Sequence, residues 1–196
     1  MYEVELKFPV SDAAALERDL IAVGGRFRAP VEQVDRYFAH PCRDFAATDE
    51  ALRLRRTGAD VAITWKGPRI DATSKTRREI ELAVAAVAPA AGPATFERWT
   101  GLLEALGFRQ VREVAKRRRI AAVAWEGAEV EASLDAVAGL GDYLELELQA
   151  AADAVPLARG RLESLARRLG CGPAERRSYL ELLLSSAVGD RGDATP

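Results

Sequence analysis

Residues 2–9 read YEVELKFP, and no other stretch says more about the fold. Its charged residues Glu3, Glu5 and Lys7 alternate with apolar ones. Successive side chains of a β-strand point to opposite faces of its sheet, so the alternation predicts a strand with one charged and one apolar face. The residues that follow have the apolar spacing of a helix, which is predicted to end at Gly24.

The alternation recurs along the chain, which indicates a protein made mainly of strands. Strands are predicted at residues 2–9, 34–40, 51–57, 60–67, 76–87, 110–125, 129–137 and 142–150. Helices are predicted between residues 12 and 24 and over residues 95–106, 156–169 and 173–187. Eight strands with few helices between them favour an α+β fold built on one antiparallel sheet, and eight strands are enough to close into a barrel.

The length of 196 residues predicts a single domain, which we place at residues 1–188 with the C-terminal helices of residues 156–187 included. Residues 88–93, APAAGP, are the best candidate for an internal linker. The tail of residues 189–196 is predicted to be disordered. The two C-terminal helices are a candidate homodimer surface, although no feature of the sequence requires a dimer.

Composition excludes several classes of protein. The 28 Lys+Arg nearly balance the 30 Asp+Glu, for a formal net charge of -2, which argues against a protein that coats nucleic acid. No uninterrupted apolar stretch has the length of about 18 residues that a membrane-spanning helix needs, and the first residues do not resemble a signal peptide. The two cysteines form neither a disulfide framework nor a zinc motif, so a cytoplasmic protein is expected.

The charged faces of several predicted strands carry like charges two residues apart: Arg53 with Arg55, Lys116 with Arg118, Glu3 with Glu5 and Glu145 with Glu147. The cationic positions are Arg53, Arg55, Lys66, Arg77, Lys116 and Arg118, and the anionic positions are Glu3, Glu5, Glu79, Glu81, Asp135, Glu145 and Glu147. A solvated face of an antiparallel sheet is one explanation of such a pattern. However, like charges two residues apart repel each other and gain little in water, so a bound ligand that compensates them is the alternative.

In a closed barrel the apolar faces would pack against the helices and the charged faces would line the lumen. So many charges cannot be buried without compensation, and the lumen would therefore be wet or occupied. Clustered Arg and Lys suit phosphate oxygens, and clustered carboxylates suit a hard divalent cation such as Mg²⁺ or Mn²⁺. A polyphosphate with a bound metal is the common ligand that needs both sets at once.

The E-x-E-x-K pattern of residues 3–7 is followed in order by R-x-R, K, R-x-E-x-E, K-x-R, D and E-x-E. This succession, over residues 2–150, resembles the CYTH superfamily of triphosphate tunnel metalloenzymes. Two further segments resemble its class IV adenylyl cyclase branch. They are residues 40–55, which contain HPCRDF and DEALRLR, and residues 65–79, which contain WKGP and KTRRE.

The resemblance implies a closed eight-stranded antiparallel β-barrel, the triphosphate tunnel, with flanking helices. It assigns metal binding to Glu3, Glu5, Glu145 and Glu147. It assigns the triphosphate oxygens to Lys7, Arg53, Arg55, Lys66, Arg77, Lys116 and Arg118. Within that set Lys7, Arg55 and Lys116 are the candidate catalytic cations, and Glu79, Glu81 and Asp135 are supporting carboxylates.

The substrate implied is a nucleoside triphosphate or an inorganic polyphosphate. A class IV adenylyl cyclase, which forms cyclic AMP and pyrophosphate from ATP, is the first hypothesis. A triphosphatase acting on tripolyphosphate, thiamine triphosphate or a nucleoside triphosphate is the second, because both reactions use the same cations and metal. A non-catalytic polyphosphate-binding protein is the third. The loop of residues 40–50 is the candidate site for adenine and ribose.

Overall fold

The computed structural model describes residues 2–69, 77–84 and 92–189, with the backbone alone described at 187–189. The strands are β1 Tyr2–Val10, β2 Arg26–Phe27, β3 Val31–Ala39, β4 Ala51–Thr57, β5 Asp60–Arg69, β6 Arg77–Val84, β7 Arg109–Trp125, β8 Ala128–Val137 and β9 Gly141–Ala150. The helices are α1 Ala13–Ala22, α2 Gly92–Ala105, α3 Val155–Arg168 and α4 Tyr179–Gly189, and a 3₁₀ turn spans Ala152–Ala154.

All eight predicted strands are confirmed within the described residues, and the short β2 is an addition. Three predictions fall partly outside these residues: the linker of residues 88–93 at 88–91, the strand of residues 76–87 at both its ends, and the tail of residues 189–196 beyond Gly189. Residues 92 and 93 of the predicted linker begin α2. None of the helices in the described ranges is long and apolar enough to cross a membrane.

The strands form one curled antiparallel sheet in the order β1-β9-β8-β7-β3-β4-β5-β6, and β2 pairs with β7. The predicted closed barrel is therefore wrong, because the sheet is open between β1 and β6. Cα atoms of these two strands come within 8 Å of each other, but the strands form no ladder. Glu3 of β1 interacts electrostatically with Lys66 of β5 and, more weakly, with Glu79 of β6, so charged side chains and no backbone ladder lie between the two edges.

The apolar faces of the strands pack against the helices. Helix α3 packs on β1 and β9, and α2 packs on β4 and β5. Helix α4 instead packs on one end of β7 at Val114, on the face that also carries Lys116 and Arg118. Leu16 and Leu20 of α1 join the largest cluster of buried apolar side chains, which α3 completes with Leu162 and Leu165. Because the apolar side of the sheet is covered, its charged side faces the concave interior.

Helix α1 begins and ends where the sequence predicts. Asp12 accepts a hydrogen bond from the backbone N–H of Ala15 at 2.8 Å, which satisfies one of the free donors of the first turn. At the other end Gly24 has a φ of +89°, a conformation that favours glycine. Its N–H donates to the Ile21 carbonyl at 2.9 Å, and the next N–H donates to the Leu20 carbonyl at 2.8 Å.

The last helix begins later than predicted, at Tyr179 rather than at residue 173. Ser178 and Glu181 form a capping box, in which the Glu181 N–H donates to Ser178 Oγ at 3.1 Å and the Ser178 N–H donates to Glu181 Oε2 at 2.5 Å. The preceding residues are held against β1, since the Glu175 N–H donates to the Lys7 carbonyl at 2.7 Å. The segment before α4 is therefore irregular and forms no helical turn.

Strand β5 also differs from its prediction, which ends it at Gly67-Pro68. The strand continues to Arg69, with an irregularity in its pairing to β6 between Lys66 and Arg69. Proline has no backbone N–H to donate, so the ladder is interrupted at this point without the strand ending.

Candidate functional site

The concave face of the sheet encloses a charged cavity of about 260 Å³. Its wall includes side chains from β1, from β3 to β9 and from the start of α4. These are Glu3, Glu5, Gln33, Asp35, Tyr37, Arg53, Arg55, Lys66, Arg77, Glu79, Glu81, Lys116, Arg118, Ile120, Glu131, Glu145, Glu147, Ser178 and Tyr179. Twelve of the fourteen site residues predicted from the sequence are in this set, and the two that are not are Lys7 and Asp135.

Asp135 lies behind the wall, where it organises two of the predicted cations. Its carboxylate accepts hydrogen bonds from Lys116 Nζ at 3.0 Å, from Arg118 Nε at 2.7 Å and Nη2 at 2.6 Å, and from the Tyr179 hydroxyl at 3.1 Å. Arg118 also pairs with Glu145. Because the Asp135 side chain is fully buried, these bonds hold both cations rigidly at the cavity wall.

Asp35 of β3, the strand next to β7, has the same part for Arg53 and Arg55, and it was not among the residues predicted from the sequence. Arg55 donates to both of its carboxylate oxygens, at 2.6 and 2.7 Å, and Arg53 lies 3.7 Å away. Burial alone would raise the pKa of Asp35, but the two guanidinium groups hold that pKa well below its usual range. The signal was present, since Gln33, Asp35 and Tyr37 alternate along β3 as the other site residues do along their strands.

Carboxylates crowd the part of the cavity wall that β1, β8 and β9 form. Glu147 lies opposite Glu5 in the β1–β9 register and opposite Glu131 in the β8–β9 register. Burial, together with Glu5 and Glu145, raises the pKa of Glu147 to about 8. Burial also raises the pKa of Glu3. The negative charge of this cluster is therefore incompletely compensated by the protein's own cations.

These carboxylates fit a hard divalent cation by their chemistry, since they offer several oxygen ligands and uncompensated negative charge. Within the described ranges, no three Asp, Glu, His or Cys side chains already converge as a metal site. Mutual repulsion of carboxylates in the absence of a cation is the physical reason to expect this separation. Glu131 extends the predicted set of Glu3, Glu5, Glu145 and Glu147 by one carboxylate that faces the same cavity.

Lys7 is almost completely buried, at 1% exposure, and lies behind the wall instead of lining it. Its ammonium group donates to the Arg177 carbonyl. The Lys7 Nζ atom is 4.2 Å from the centre of the Tyr179 ring and 5.7 Å from that of Tyr143. Lys7 is therefore separated from the cavity by Tyr179, whose side chain lines the wall. No pattern in the sequence links Lys7 to Tyr179.

The remaining predicted cations on the wall lie beside carboxylates of the same cavity. Lys66 pairs with Glu79, and Arg77 Nε lies 4.0 Å from the same carboxylate. Arg53 Nη2 donates to Thr64 Oγ1 at 3.3 Å and lies 3.6 Å from Glu81. The buried Arg53 Nε has no hydrogen-bond partner in the described part of the chain. An unsatisfied buried donor of this kind is expected where an acceptor from a ligand completes the site.

A second cavity of about 670 Å³ lies beside the loop of residues 40–50. Its wall combines apolar and polar groups, among them Phe38, His40, Arg43, Phe45, Asp49, Arg69, Arg109 and Leu184. Tyr37 lines both this cavity and the charged one, so the two adjoin at that side chain. The loop predicted to hold adenine and ribose is therefore next to the charged cavity.

Lysine itself is a signal that the sequence offered. Only four of the 28 Lys+Arg residues are lysines, and three of these, Lys7, Lys66 and Lys116, are predicted site positions. The fourth, Lys75, lies outside the described residues. The compact ammonium group differs from the planar guanidinium in the contacts that it can make, so this restricted use of lysine points to positions where arginine is not equivalent.

Comparison with known proteins agrees with this geometry. The model of the CYTH domain family matches residues 1–179. A Methanocaldococcus jannaschii protein named as a candidate adenylate cyclase is 38% identical over 147 residues, which cover 75% of this chain and 77% of the relative. Adenylate cyclase CyaB of Aeromonas hydrophila is 30% identical over 187 residues, which cover 92% of this chain and 88% of the relative.

Solved structures show the same architecture. The PH1819 protein of Pyrococcus horikoshii has a TM-score of 0.80 and 40% identity, over 94% of this chain and 99% of that one. The Hippeastrum protein HpAC1, described as an adenylyl cyclase candidate with a dominant triphosphatase activity, has a TM-score of 0.57 and 20% identity, over 100% of this chain and 97% of that one. The match to the family model covers most of the chain, and the strands that carry the charged cavity lie within it. The chain therefore belongs to the CYTH domain family.

Proposed function

We propose that this protein is a class IV adenylyl cyclase that converts ATP to 3′,5′-cyclic AMP and pyrophosphate. The observation that carries the proposal is a single concave cavity whose wall contains both a cationic set and a carboxylate set. Enzymes of the CYTH family act on triphosphates as adenylyl cyclases or triphosphatases, and they generally depend on a divalent metal. The names of the two relatives support the cyclase as the first choice.

The cations bind and orient the triphosphate. The residues that we assign to its oxygens are Arg53, Arg55, Lys66, Arg77, Lys116 and Arg118, with Lys7 adjoining them. Guanidinium groups bind phosphate oxygens through paired hydrogen bonds, and Arg53 Nε, which has no partner among the described residues, is one donor that a phosphate would satisfy. When the ribose 3′-hydroxyl attacks the α-phosphorus, Arg55 and Lys116 neutralise charge on the non-bridging oxygens and on the departing pyrophosphate.

We assign the divalent cation, Mg²⁺ or Mn²⁺, to Glu3, Glu5, Glu145 and Glu147, with Glu131 beside them. When bound there, the cation supplies positive charge that polarises phosphoryl oxygens. The supporting carboxylates Glu79, Glu81 and Asp135 orient the cations, as the pairs of Asp135 with Lys116 and Arg118 illustrate.

The second cavity favours a nucleotide over a bare polyphosphate. It adjoins the charged cavity at Tyr37, and its mixed wall suits a ligand with an apolar ring and polar edges. The volume of about 670 Å³ is within the range of sites for small organic ligands. We therefore place the adenine and ribose beside the loop of residues 40–50.

A triphosphatase is the second candidate, because hydrolysis of a triphosphate would use the same cations and carboxylates of the charged cavity and needs no site for adenine. The dominant triphosphatase activity is a property of the Hippeastrum protein. At 20% identity, its similarity to this chain is evidence for the fold alone. The fold is thus compatible with both reactions, and the products distinguish them.

The test is product analysis with ATP and with tripolyphosphate, each with Mg²⁺ or Mn²⁺ and each repeated with EDTA. We expect cyclic AMP and pyrophosphate from ATP, and none with EDTA. Phosphate release from tripolyphosphate without cyclic AMP would replace the cyclase by the triphosphatase. Binding of tripolyphosphate that is unaffected by EDTA, without turnover of either compound, would instead indicate a non-catalytic binding protein.

Two arginines on opposite sides of the sheet provide a matched test of the binding surface. Arg55 lines the charged cavity, whereas Arg119 pairs with Glu17 on the helical side. We expect Arg55→Ala to weaken tripolyphosphate binding roughly tenfold to hundredfold, the effect of losing charge-assisted hydrogen bonds. Arg119→Ala should change the affinity less than about twofold, because this side chain lies on the face of the sheet that points away from the cavity. Titration calorimetry measures both, and equal effects would show that the anion does not bind on the concave face.

A further inference from the structure

We propose that Tyr179 is a positioning residue that holds the ammonium groups of Lys7 and Lys116 and the carboxylate of Asp135 in their places beside the charged cavity. No motif of the predicted site contains this residue, which lies in α4, outside the strands that carry the other groups. The kinetic part of the proposal rests on the proposed function, whereas its structural part does not.

The first observation is that two ammonium groups lie over one aromatic ring. Lys7 Nζ is 4.2 Å and Lys116 Nζ is 5.2 Å from the centre of the Tyr179 ring. Both distances are within the range of about 6 Å over which the electron-rich face of a ring attracts a cation. The two ammonium groups repel each other because they carry like charges. A ring that attracts both of them offsets this repulsion, whereas an aliphatic side chain in its place would not.

The second observation concerns the other end of the same side chain. The Tyr179 hydroxyl donates to Asp135 Oδ2 at 3.1 Å, and Lys116 Nζ donates to the same oxygen at 3.0 Å. The ring and the hydroxyl therefore act on Lys116 together, one directly and one through the carboxylate. Tyr179 is 6% exposed, so water does not replace these contacts.

The third observation is that the side chain is itself held in place. The Tyr143 ring packs against Tyr179 with centroids 5.2 Å apart and planes at 69°. The Ser178–Glu181 capping box fixes the start of α4, and Arg69 ties Glu181 to β5 at 3.3 Å. A residue with such support can set the positions of two long lysine side chains with little loss of its own freedom.

Lysine NMR tests the structural part on the unmodified protein. An aromatic ring shifts the resonances of groups above its face upfield. With ¹³C-labelled lysine, we therefore expect the ε-methylene signals of Lys7 and Lys116 to lie upfield of that of Lys66, which pairs with Glu79. Lys7→Arg and Lys116→Arg assign the signals, and Tyr179→Phe should preserve the shifts because it keeps the ring. Unshifted signals in the wild-type protein would overturn the proposal, whether or not the protein has cyclase activity.

The kinetic test compares Tyr179→Phe and Tyr179→Leu in the reaction that the product analysis identifies. We expect Tyr179→Leu to lower kcat roughly tenfold or more, the factor for losing one cation–ring contact, and Tyr179→Phe to lower it only about threefold. KM should change less than kcat, since the arginines still bind the triphosphate. A rise in KM as large as the fall in kcat would contradict a positioning role for Tyr179.

Leu183→Ala is the control for a purely structural effect. Leu183 is 5% exposed in the same helix and the same apolar cluster as Tyr179. We expect this variant to lower Tm and to leave kcat unchanged. The proposal would be overturned if Leu183→Ala lowered kcat as much as Tyr179→Leu does. It would also be overturned if Tyr179→Leu folded and kept the wild-type kcat. Should Tyr179→Leu not fold, the wild-type spectra and Tyr179→Phe still decide the question.

Discussion

Replacing Asp135 by asparagine is expected to lower the free energy of unfolding by about 3–5 kcal/mol. The carboxylate is the shared partner of Lys116 and Arg118, and all three side chains are buried. An amide of the same shape has no charge to compensate them, and its NH₂ group would face other donors. Arg118 would retain Glu145, but Lys116 would lose its ion pair with Asp135.

Denaturant unfolding followed by circular dichroism measures this change. In thermal unfolding of a domain of this length, we expect the Tm of Asp135→Asn to lie roughly 10 °C below that of the wild-type protein. Asp60→Asn is the matched control, because Asp60 is exposed at the start of β5 and should change stability by less than about 0.5 kcal/mol. If both variants were equally stable, Asp135 would not be the centre of a buried ion-pair network.

Replacing Glu147 by glutamine is expected to stabilise the metal-free protein at alkaline pH. Burial and the neighbouring Glu5 and Glu145 raise the pKa of Glu147 from 4.5 to about 8. The folded state therefore binds this proton more tightly than the unfolded chain does, and stability falls as pH rises from about 4.5 to about 8. Glutamine cannot ionise, so the variant should lack this part of the pH dependence.

The expected gain at pH values above 8 is on the order of 2 kcal/mol, because Glu147 is partly exposed to the cavity and water screens its charge. Thermal unfolding in EDTA at a series of pH values measures it. Glu129→Gln is the control, since Glu129 is exposed on β8 and its removal should leave the pH profile unchanged. A wild-type profile that does not decline between pH 4.5 and 8 would contradict the crowded carboxylate cluster.

The same variant should lose metal-dependent turnover by roughly a hundredfold or more, since it removes a proposed ligand. Mg²⁺ or Mn²⁺ should raise the Tm of the wild-type protein more than that of Glu147→Gln, because binding to the folded state stabilises it. A variant that is more stable without metal and yet inactive is the pattern of a binding site. A variant that remains fully active would remove Glu147 from the metal assignment.

Much of the fold was predictable because the alternation of side chains along a strand is a local property. The period of two placed Arg118 inward and Arg119 outward, and the structure confirms both positions. The start of α4 was predicted too early because Gly172-Pro173 indicates the start of a helix, whereas the capping box that begins α4 is at Ser178. The prediction of a closed barrel was wrong because β1 and β6 are far apart in the sequence. Whether their edges pair depends on the curl of the whole sheet, which no local pattern reveals.

Spacing within each strand is enough to identify the residues that share the charged face, so this part of the site could be read from the chain. The partners of those charges emerged only in the folded molecule. Asp35 meets Arg55 across a separation of 20 positions, and Lys7 meets the Arg177 carbonyl across 170. Such contacts depend on strand register, on the curl of the sheet and on where α4 begins. These are collective results of packing, and no local pattern of residues encodes them.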